Sequence, residues 1–97
     1  MDGTGETYRL AAPSGSLLWR EWDDGCVVFN LATGETHYLD DFTAYLLRLV
    51  ETSAQTADAL TGTVCAELGR EHSAALEAQI GRALRNFEVL ALLEKTR

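Results

Sequence analysis

The side chains best suited to chemistry in this chain are histidines, cysteines and one pair of adjacent aspartates. They are His37, His72, Cys26, Cys65 and Asp23–Asp24. None of the histidines and cysteines has the close pair spacing of a structural zinc site. The two aspartates precede a glycine, which is the composition of a hairpin turn. We therefore expect no metal and no other cofactor.

No sequence pattern predicts catalysis. The chain has no nucleophile–base pair, no phosphate-binding glycine loop, and no paired carboxylates that a turn or a helix cap would not explain. Two cysteines are too few for a disulfide scaffold, and free buried thiols suit a reducing cytoplasm. We expect a cytoplasmic protein that is not an enzyme.

Size and charge limit the partners further. The chain has 97 residues, enough for one domain, and a net charge of -7 from 15 acidic and 8 basic residues. This charge disfavours nucleic acid and anionic membranes as partners, and it steers a basic or mixed peptide favourably. No apolar run approaches the ~18 residues of a membrane span, and no secretory signal is visible.

Three short β-rich runs separated by two turn signals predict an antiparallel meander. The predicted strands are Leu17–Trp22, Cys26–Leu31 and Glu35–Leu39, with turns at Asp23–Gly25 and Ala32–Gly34. Period-two alternation predicts that Val27, Phe29 and Leu31 face inward. Both outer strands keep an unpaired edge, which is a template for an extended peptide.

The third predicted strand, Glu35–Leu39, divides its side chains between two faces. His37 and Leu39 lie on one face, and Thr36 and Tyr38 on the other.

Three helices are predicted after the meander. The first is capped by Asp40 or Asp41, the second runs from Thr56 to Leu68 before a C-cap at Gly69, and the third begins after Ser73. The apolar stripe of the third helix consists of Leu76, Ile80, Ala83, Leu84 and Phe87. We expect an α+β domain over residues 15–97, with a three-stranded antiparallel N-terminal sheet followed by three helices.

The two ends of the chain are expected to be less ordered. Residues 1–14 predict a flexible arm with brief strand contacts at Tyr8–Leu10. Residues Val89–Leu93 are expected to pack on the core before Glu94–Arg97 frays.

The string from Trp22 to Asp40 resembles the PqqD family, and most closely the PqqD-type proteins of HPr-kinase-related gene clusters. The resemblance extends from about Leu17 to Glu94, and Asp40 stands where the family usually has Asn. It implies a winged-helix-like recognition element for ribosomally made, modified peptides. In that family a precursor's leader segment adds as a fourth strand beside the third strand, with the third helix as the other wall. Members are chaperones or adaptors for a modifying enzyme rather than catalysts.

The resemblance implies a peptide site on these two walls. The candidate residues are Glu35, Thr36, His37, Tyr38, Leu39, Leu76, Ile80, Arg82, Leu84 and Arg85. The strand offers backbone groups, the helix leucines and isoleucine offer an apolar wall, and the two arginines are placed to pair with acidic leader residues. Each helix residue also has a simpler interpretation, as core for the stripe and as solvated surface for the arginines.

Two other functions remain open from the sequence. A winged-helix regulator would bind DNA through Arg70, Arg82 and Arg85, although the net charge opposes this. A structural subunit would self-pair through a strand edge, whereas an adaptor is expected to be a monomer or a weak homodimer.

Overall fold

The computed structural model describes residues 6–13 and 15–96. The strands are β1 (Thr7–Leu10), β2 (Leu17–Trp22), β3 (Gly25–Asn30), β4 (Glu35–Leu39), β5 (Gln55–Thr56) and β6 (Leu93–Thr96). The helices are α1 (Asp41–Thr52), α2 (Ala57–Leu68) and α3 (Ala74–Val89). The predicted α+β fold, an antiparallel three-stranded sheet followed by three helices, is confirmed. A second three-stranded sheet was not predicted.

The meander has the strand order β2-β3-β4 and is antiparallel throughout. Trp22 pairs with Gly25 across a two-residue turn, and Asn30 pairs with Glu35 across a longer one. At Gly25 the chain passes so close to β4 that a Cβ atom would lie 2.7 Å from the carbonyl oxygen of Leu39. A side chain at this position would force the two strands apart.

The predicted inward face of β3 is wrong. Val27 and Phe29 are only half-buried and Leu31 is exposed, whereas Val28 and Asn30 are buried. Five of the six residues from 26 to 31 are apolar, so alternation alone does not identify the inner face. Asn30 lies on the buried face, where its Oδ1 accepts the Ala32 N–H at 2.9 Å and so braces the following turn, while its Nδ2 has no hydrogen-bond partner among the described residues.

The second sheet has the order β5-β1-β6, with β1 antiparallel to both neighbours. The expected arm is therefore incorrect for Thr7–Leu10, although the brief strand contacts expected there are present. The expected fraying is also incorrect for Glu94–Thr96, which pairs with β1, whereas Leu93 packs in the core as expected. Both errors have one cause, since each segment is stabilised by the other at a distance in sequence that local patterns do not report. Residues 1–5, 14 and 97 lie outside the described residues.

The helix boundaries follow local signals. The side chains of Asp40, Thr56 and Ser73 accept the N–H three residues ahead at the start of α1, α2 and α3. Gly69 ends α2 in the left-handed conformation at φ 65°. The core lies among the helices and the inner face of the meander. Its fully buried side chains include Val28, Leu46, Leu47, Leu60, Leu76, Ile80, Leu84 and Phe87.

Candidate functional site

The candidate site is centred on β4, because β4 is an edge strand of the meander. Among the residues that the structure describes, β4 pairs with β3 and with no other strand. Its far edge is therefore open to an additional strand. The outer edge of β2 is open in the same sense.

The hydrogen-bond direction along β3 determines which β4 groups are free. Antiparallel residues bond alternately to one neighbour and then to the other. The Leu31 N–H donates to the Ser16 carbonyl at 2.8 Å, and Trp22 pairs with Gly25 across the tight turn. Residues 25, 27 and 29 therefore bond to β2, while residues 26, 28 and 30 bond to β4.

The β4 partners of those residues are Leu39, His37 and Glu35, whose backbone groups are consequently used within the sheet. The N–H and C=O groups of Thr36 and Tyr38 point to the open edge. The edge thus offers two donors and two acceptors, spaced for an extended guest chain.

The inner side of β4 carries His37 and Leu39, as the alternation predicted. Leu39 is buried, and the His37 side chain is 12% exposed. Its Nε2 is buried and has no hydrogen-bond partner within the described ranges, and the Glu35 Oε1 atom lies 3.7 Å away. A guest strand on this edge would place alternate side chains beside His37.

The outer side of the meander is more apolar than predicted. Tyr38 is 82% exposed, Trp22 56% and Leu18 53%, around the half-buried Val27 and Phe29. A cavity of about 460 Å³ on this side is lined by Leu18, Trp19, Arg20, Val27, Phe29 and Thr36. The signal for this surface was present in β3, where apolar residues occupy both alternations.

The predicted apolar wall on α3 is not an open surface. Leu76 and Ile80 are each 1% exposed and Leu84 is 0% exposed. The physical reason is that α3 packs against α2, β6 and α1, which uses the whole stripe to hold the fold together. The simpler interpretation of these three residues as core is the one that the burial supports.

The two arginines of α3 lie on its exposed side. At ~100° per residue, Arg82 and Arg85 are about 150° from the centre of the buried stripe. The structure therefore separates them from the apolar residues with which the sequence grouped them. In addition, α1 contacts β4 more extensively than α3 does.

A cavity of about 290 Å³ lies at the end of β4, where the β2–β3 turn approaches it. It is lined by Trp22, Asp24, Gly25, Cys26, Tyr38, Leu39 and Asp40. A neighbouring cavity of about 230 Å³ shares three of these residues and continues toward α1. The sequence patterns did not predict this cavity, because it forms only where the β2–β3 turn meets the end of β4.

Two groups near this end have shifted acidities. The Thr43 backbone N–H donates to Asp40 Oδ1 at 2.7 Å, which holds the pKa of Asp40 below its ordinary value. Burial and a hydrogen bond from the Tyr45 hydroxyl to Glu67 raise the pKa of Tyr45 to about 12. Asp40 is therefore a carboxylate and Tyr45 a neutral phenol at neutral pH.

Contacts with α1 fix β2. The Trp19 indole N–H donates to Glu51 at 3.0 Å, and the Arg48 guanidinium lies 4.4 Å from the centre of the Trp19 ring. Arg48 also pairs with Glu21 at 3.1 Å. These contacts attach the inner side chains of β2 to the helix layer.

Within the described part of the chain, no group of three or more His, Cys, Asp or Glu side chains is arranged to hold a metal ion. None of the described helices is both long enough and apolar enough to span a membrane.

The fold and the open edge together define a small domain whose backbone is available to a second chain. Its structure is similar to that of "TbiB1 in Complex with the TbiA(beta) Leader Peptide", with a TM-score of 0.65 and 23% sequence identity. The match covers 89% of this chain and 94% of that chain. At this identity the likeness concerns the fold. No protein-family model matches the sequence, and no curated protein matches it.

Proposed function

We propose that this protein is a non-catalytic adaptor that binds the leader segment of a ribosomally made precursor peptide and presents it to a modifying enzyme. The leader adds as a strand to β4. The observation that carries the proposal is the open edge, with the backbone groups of Thr36 and Tyr38 directed outward. One finding supports it, since the similar solved structure is a complex with a leader peptide. The resemblance of residues 22–40 to the PqqD family predicts the same function.

Backbone bonding alone is insufficient for useful affinity. Four hydrogen bonds at about 0.5–1.5 kcal/mol each provide about 2–6 kcal/mol in total. A micromolar complex requires about 8 kcal/mol. The leader must therefore also bury two or three apolar side chains, each worth about 1.5–3 kcal/mol.

The surfaces for those side chains differ on the two sides of the guest strand. On the outer side they would extend the exposed apolar face that Tyr38 borders. On the inner side they would pack beside His37, between β4 and the helices. We propose α3 as the far wall, with Leu84 supporting it from behind and Arg82 and Arg85 available to acidic leader residues beyond the edge.

The proposal is tested by isothermal titration of the protein with the leader segment of its cognate precursor. We expect micromolar or tighter binding, and the largest backbone chemical-shift changes at Glu35–Leu39. The proposal would be wrong if the titrations released or absorbed no heat of binding at several salt concentrations and the leader left the backbone chemical shifts unchanged.

DNA binding is the alternative with one observation in its favour, the exposure of Arg82 and Arg85. The net charge of -7 opposes it. A salt-dependent mobility shift of duplex DNA at physiological ionic strength would favour that function over the adaptor.

Light scattering at several concentrations measures whether the protein is a monomer or a weak homodimer.

A further inference from the structure

We propose that the 290 Å³ cavity at the end of β4, defined above and called here the corner cavity, binds a lysine or arginine side chain of the bound peptide. This inference rests on the proposed function and makes it more specific. It would make the adaptor selective for leaders that carry a basic residue at one position.

The position of the corner cavity follows from the strand edge. Tyr38 and Leu39 line the cavity and are also the last two residues of β4. A guest strand on the open edge of β4 would lie about 4.8 Å from these two residues. A lysine or arginine side chain is long enough to reach from there across the end of β4 to the cavity. Its volume corresponds to roughly ten water molecules at the ~30 Å³ that each occupies in the liquid, which is room for a long side chain.

The lining of the corner cavity selects for positive charge. Two aromatic residues, Trp22 and Tyr38, lie beside two carboxylates, Asp24 and Asp40. Aromatic faces attract cations within about 6 Å of the ring centre, and carboxylates add direct charge pairing. The Thr43 N–H holds the Asp40 carboxylate at a fixed position.

One cation already lies close to this surface. The Arg20 guanidinium carbon is 5.9 Å from the centre of the Trp22 ring, at the limit of a cation–π contact. Arg20 is not among the residues that line the corner cavity. The Trp22 ring is thus accessible to a cation from the chain's own sequence.

Other occupants fit less well. An anionic side chain would face two carboxylates on a protein with a net charge of -7. An apolar side chain would leave those carboxylates partly desolvated without a partner. A metal ion is not favoured, since no group of three or more suitable ligands occurs among the described residues.

The test uses two small probes that have no strand to add, N-acetyl-lysinamide and its neutral analogue N-acetyl-norleucinamide. Both are titrated into ¹⁵N-labelled protein at millimolar concentrations. We expect saturable shifts of the Trp22 indole N–H and the Asp24 amide with the lysine probe, and at least ~threefold weaker binding of the norleucine probe. Equal binding of the two probes, or no saturable shift with lysine, would overturn the proposal.

Two matched variants separate the cavity from general charge. Asp24→Asn keeps a residue suited to the turn and should weaken the binding of the lysine probe ~threefold. Asp23→Asn changes the same charge in the same turn but does not line the cavity, so the lysine probe should bind as before. Equal losses in the two variants would assign the effect to overall charge and contradict a subsite.

The outcomes also distinguish the two proposals. If a leader peptide binds at β4 and the lysine probe does not bind, the subsite is wrong and the adaptor proposal stands. If the probe binds and no leader peptide contacts β4, the adaptor proposal fails, and with it the assignment of the cavity to a leader.

Discussion

The two walls of the predicted peptide site, β4 and α3, have opposite accessibility. The open edge of β4 leaves the backbone groups of Thr36 and Tyr38 free. The apolar stripe of α3 is buried apart from the half-buried Ala83, with Leu76, Ile80 and Leu84 at or below 1% exposed. The edge of β4 is accessible in the folded protein, whereas the apolar side chains of α3 are part of the core.

The difference follows from how each element uses its backbone. A helix satisfies its own N–H and C=O groups, so only its side chains can bind a guest, and a small domain needs the apolar ones for its core. An edge strand satisfies only one side of its backbone, so it can bury Leu39 inward and still offer hydrogen bonds outward. An open edge at β4 is therefore compatible with a fully packed core.

The largest predicted effect concerns the closed wall. Leu84→Ala removes a side chain that is 0% exposed, and we expect a loss of about 2–5 kcal/mol in the free energy of unfolding. Chemical denaturation measures it. Arg85→Ala, one residue further on the exposed side of α3, should change stability by about 0.5 kcal/mol or less. A small effect of Leu84→Ala would mean that the stripe is not part of the core. The stripe would then again be a candidate for the wall of a peptide-binding groove.

The second prediction concerns the open wall. Tyr38→Pro removes an outward N–H that the sheet does not use, and proline is tolerated at such edge positions. Because a guest carbonyl would then lack its donor, we expect leader binding to weaken by about 1–3 kcal/mol, or ~5–150-fold. Titration calorimetry measures the change.

Two controls accompany Tyr38→Pro. Tyr38→Ala keeps the N–H and separates the backbone effect from that of the ring. Glu21→Pro places proline at an outward position of the other open edge, on β2, and should leave leader binding unchanged. If Glu21→Pro weakened binding more than Tyr38→Pro, the leader would occupy the β2 edge instead.

The third prediction concerns Asp40, where β4 ends and α1 begins. Asp40→Ala removes the cap of α1 and should cost about 0.5–2 kcal/mol of stability, whereas Asp41→Ala should cost less because the capping bond remains. The folded pKa of Asp40 is lowered, so its contribution is complete above pH 3.8 and disappears as the pH falls through the lowered value. Denaturation of both variants between pH 7 and pH 2 measures this difference, and an identical acid dependence of wild type and Asp40→Ala would contradict it.

The smallest predicted effect is a gain in the helix layer. A Cβ at Gly62 would meet no atom within 4 Å, so Gly62→Ala should stabilise the protein by about 0.5–1 kcal/mol. Gly69→Ala should destabilise it, because Gly69 has φ 65°. Thermal unfolding measures the change in stability of both variants. Stabilisation by Gly69→Ala would contradict the described end of α2.

Local signals predicted much of this fold. The Asp23–Asp24 turn, the strand Glu35–Leu39, the caps at Asp40 and Ser73, and Gly69 are all consequences of neighbouring residues. Features that depend on distant partners were not predictable from them. The strand β1 is identified only through its pairing with β6, and the inner face of β3 depends on which side of the meander packs against the helices.

The candidate site divides in the same way. The faces of β4 follow from alternation, so the positions of His37 and Tyr38 were predictable. Whether the α3 stripe was core or groove depended on what packed against it, and periodicity is identical in the two cases. The corner cavity requires the β2–β3 turn to meet the end of β4, which is distant from it in sequence.

Amide hydrogen exchange in the free and the bound protein tests strand addition at β4. In the free protein, the N–H of His37 should already be protected by β3, while those of Thr36 and Tyr38 exchange quickly. Saturation with the leader peptide should slow exchange at Thr36 and Tyr38. A leader that binds without protecting these two amides, or that protects the β2 edge instead, would rule out strand addition at β4.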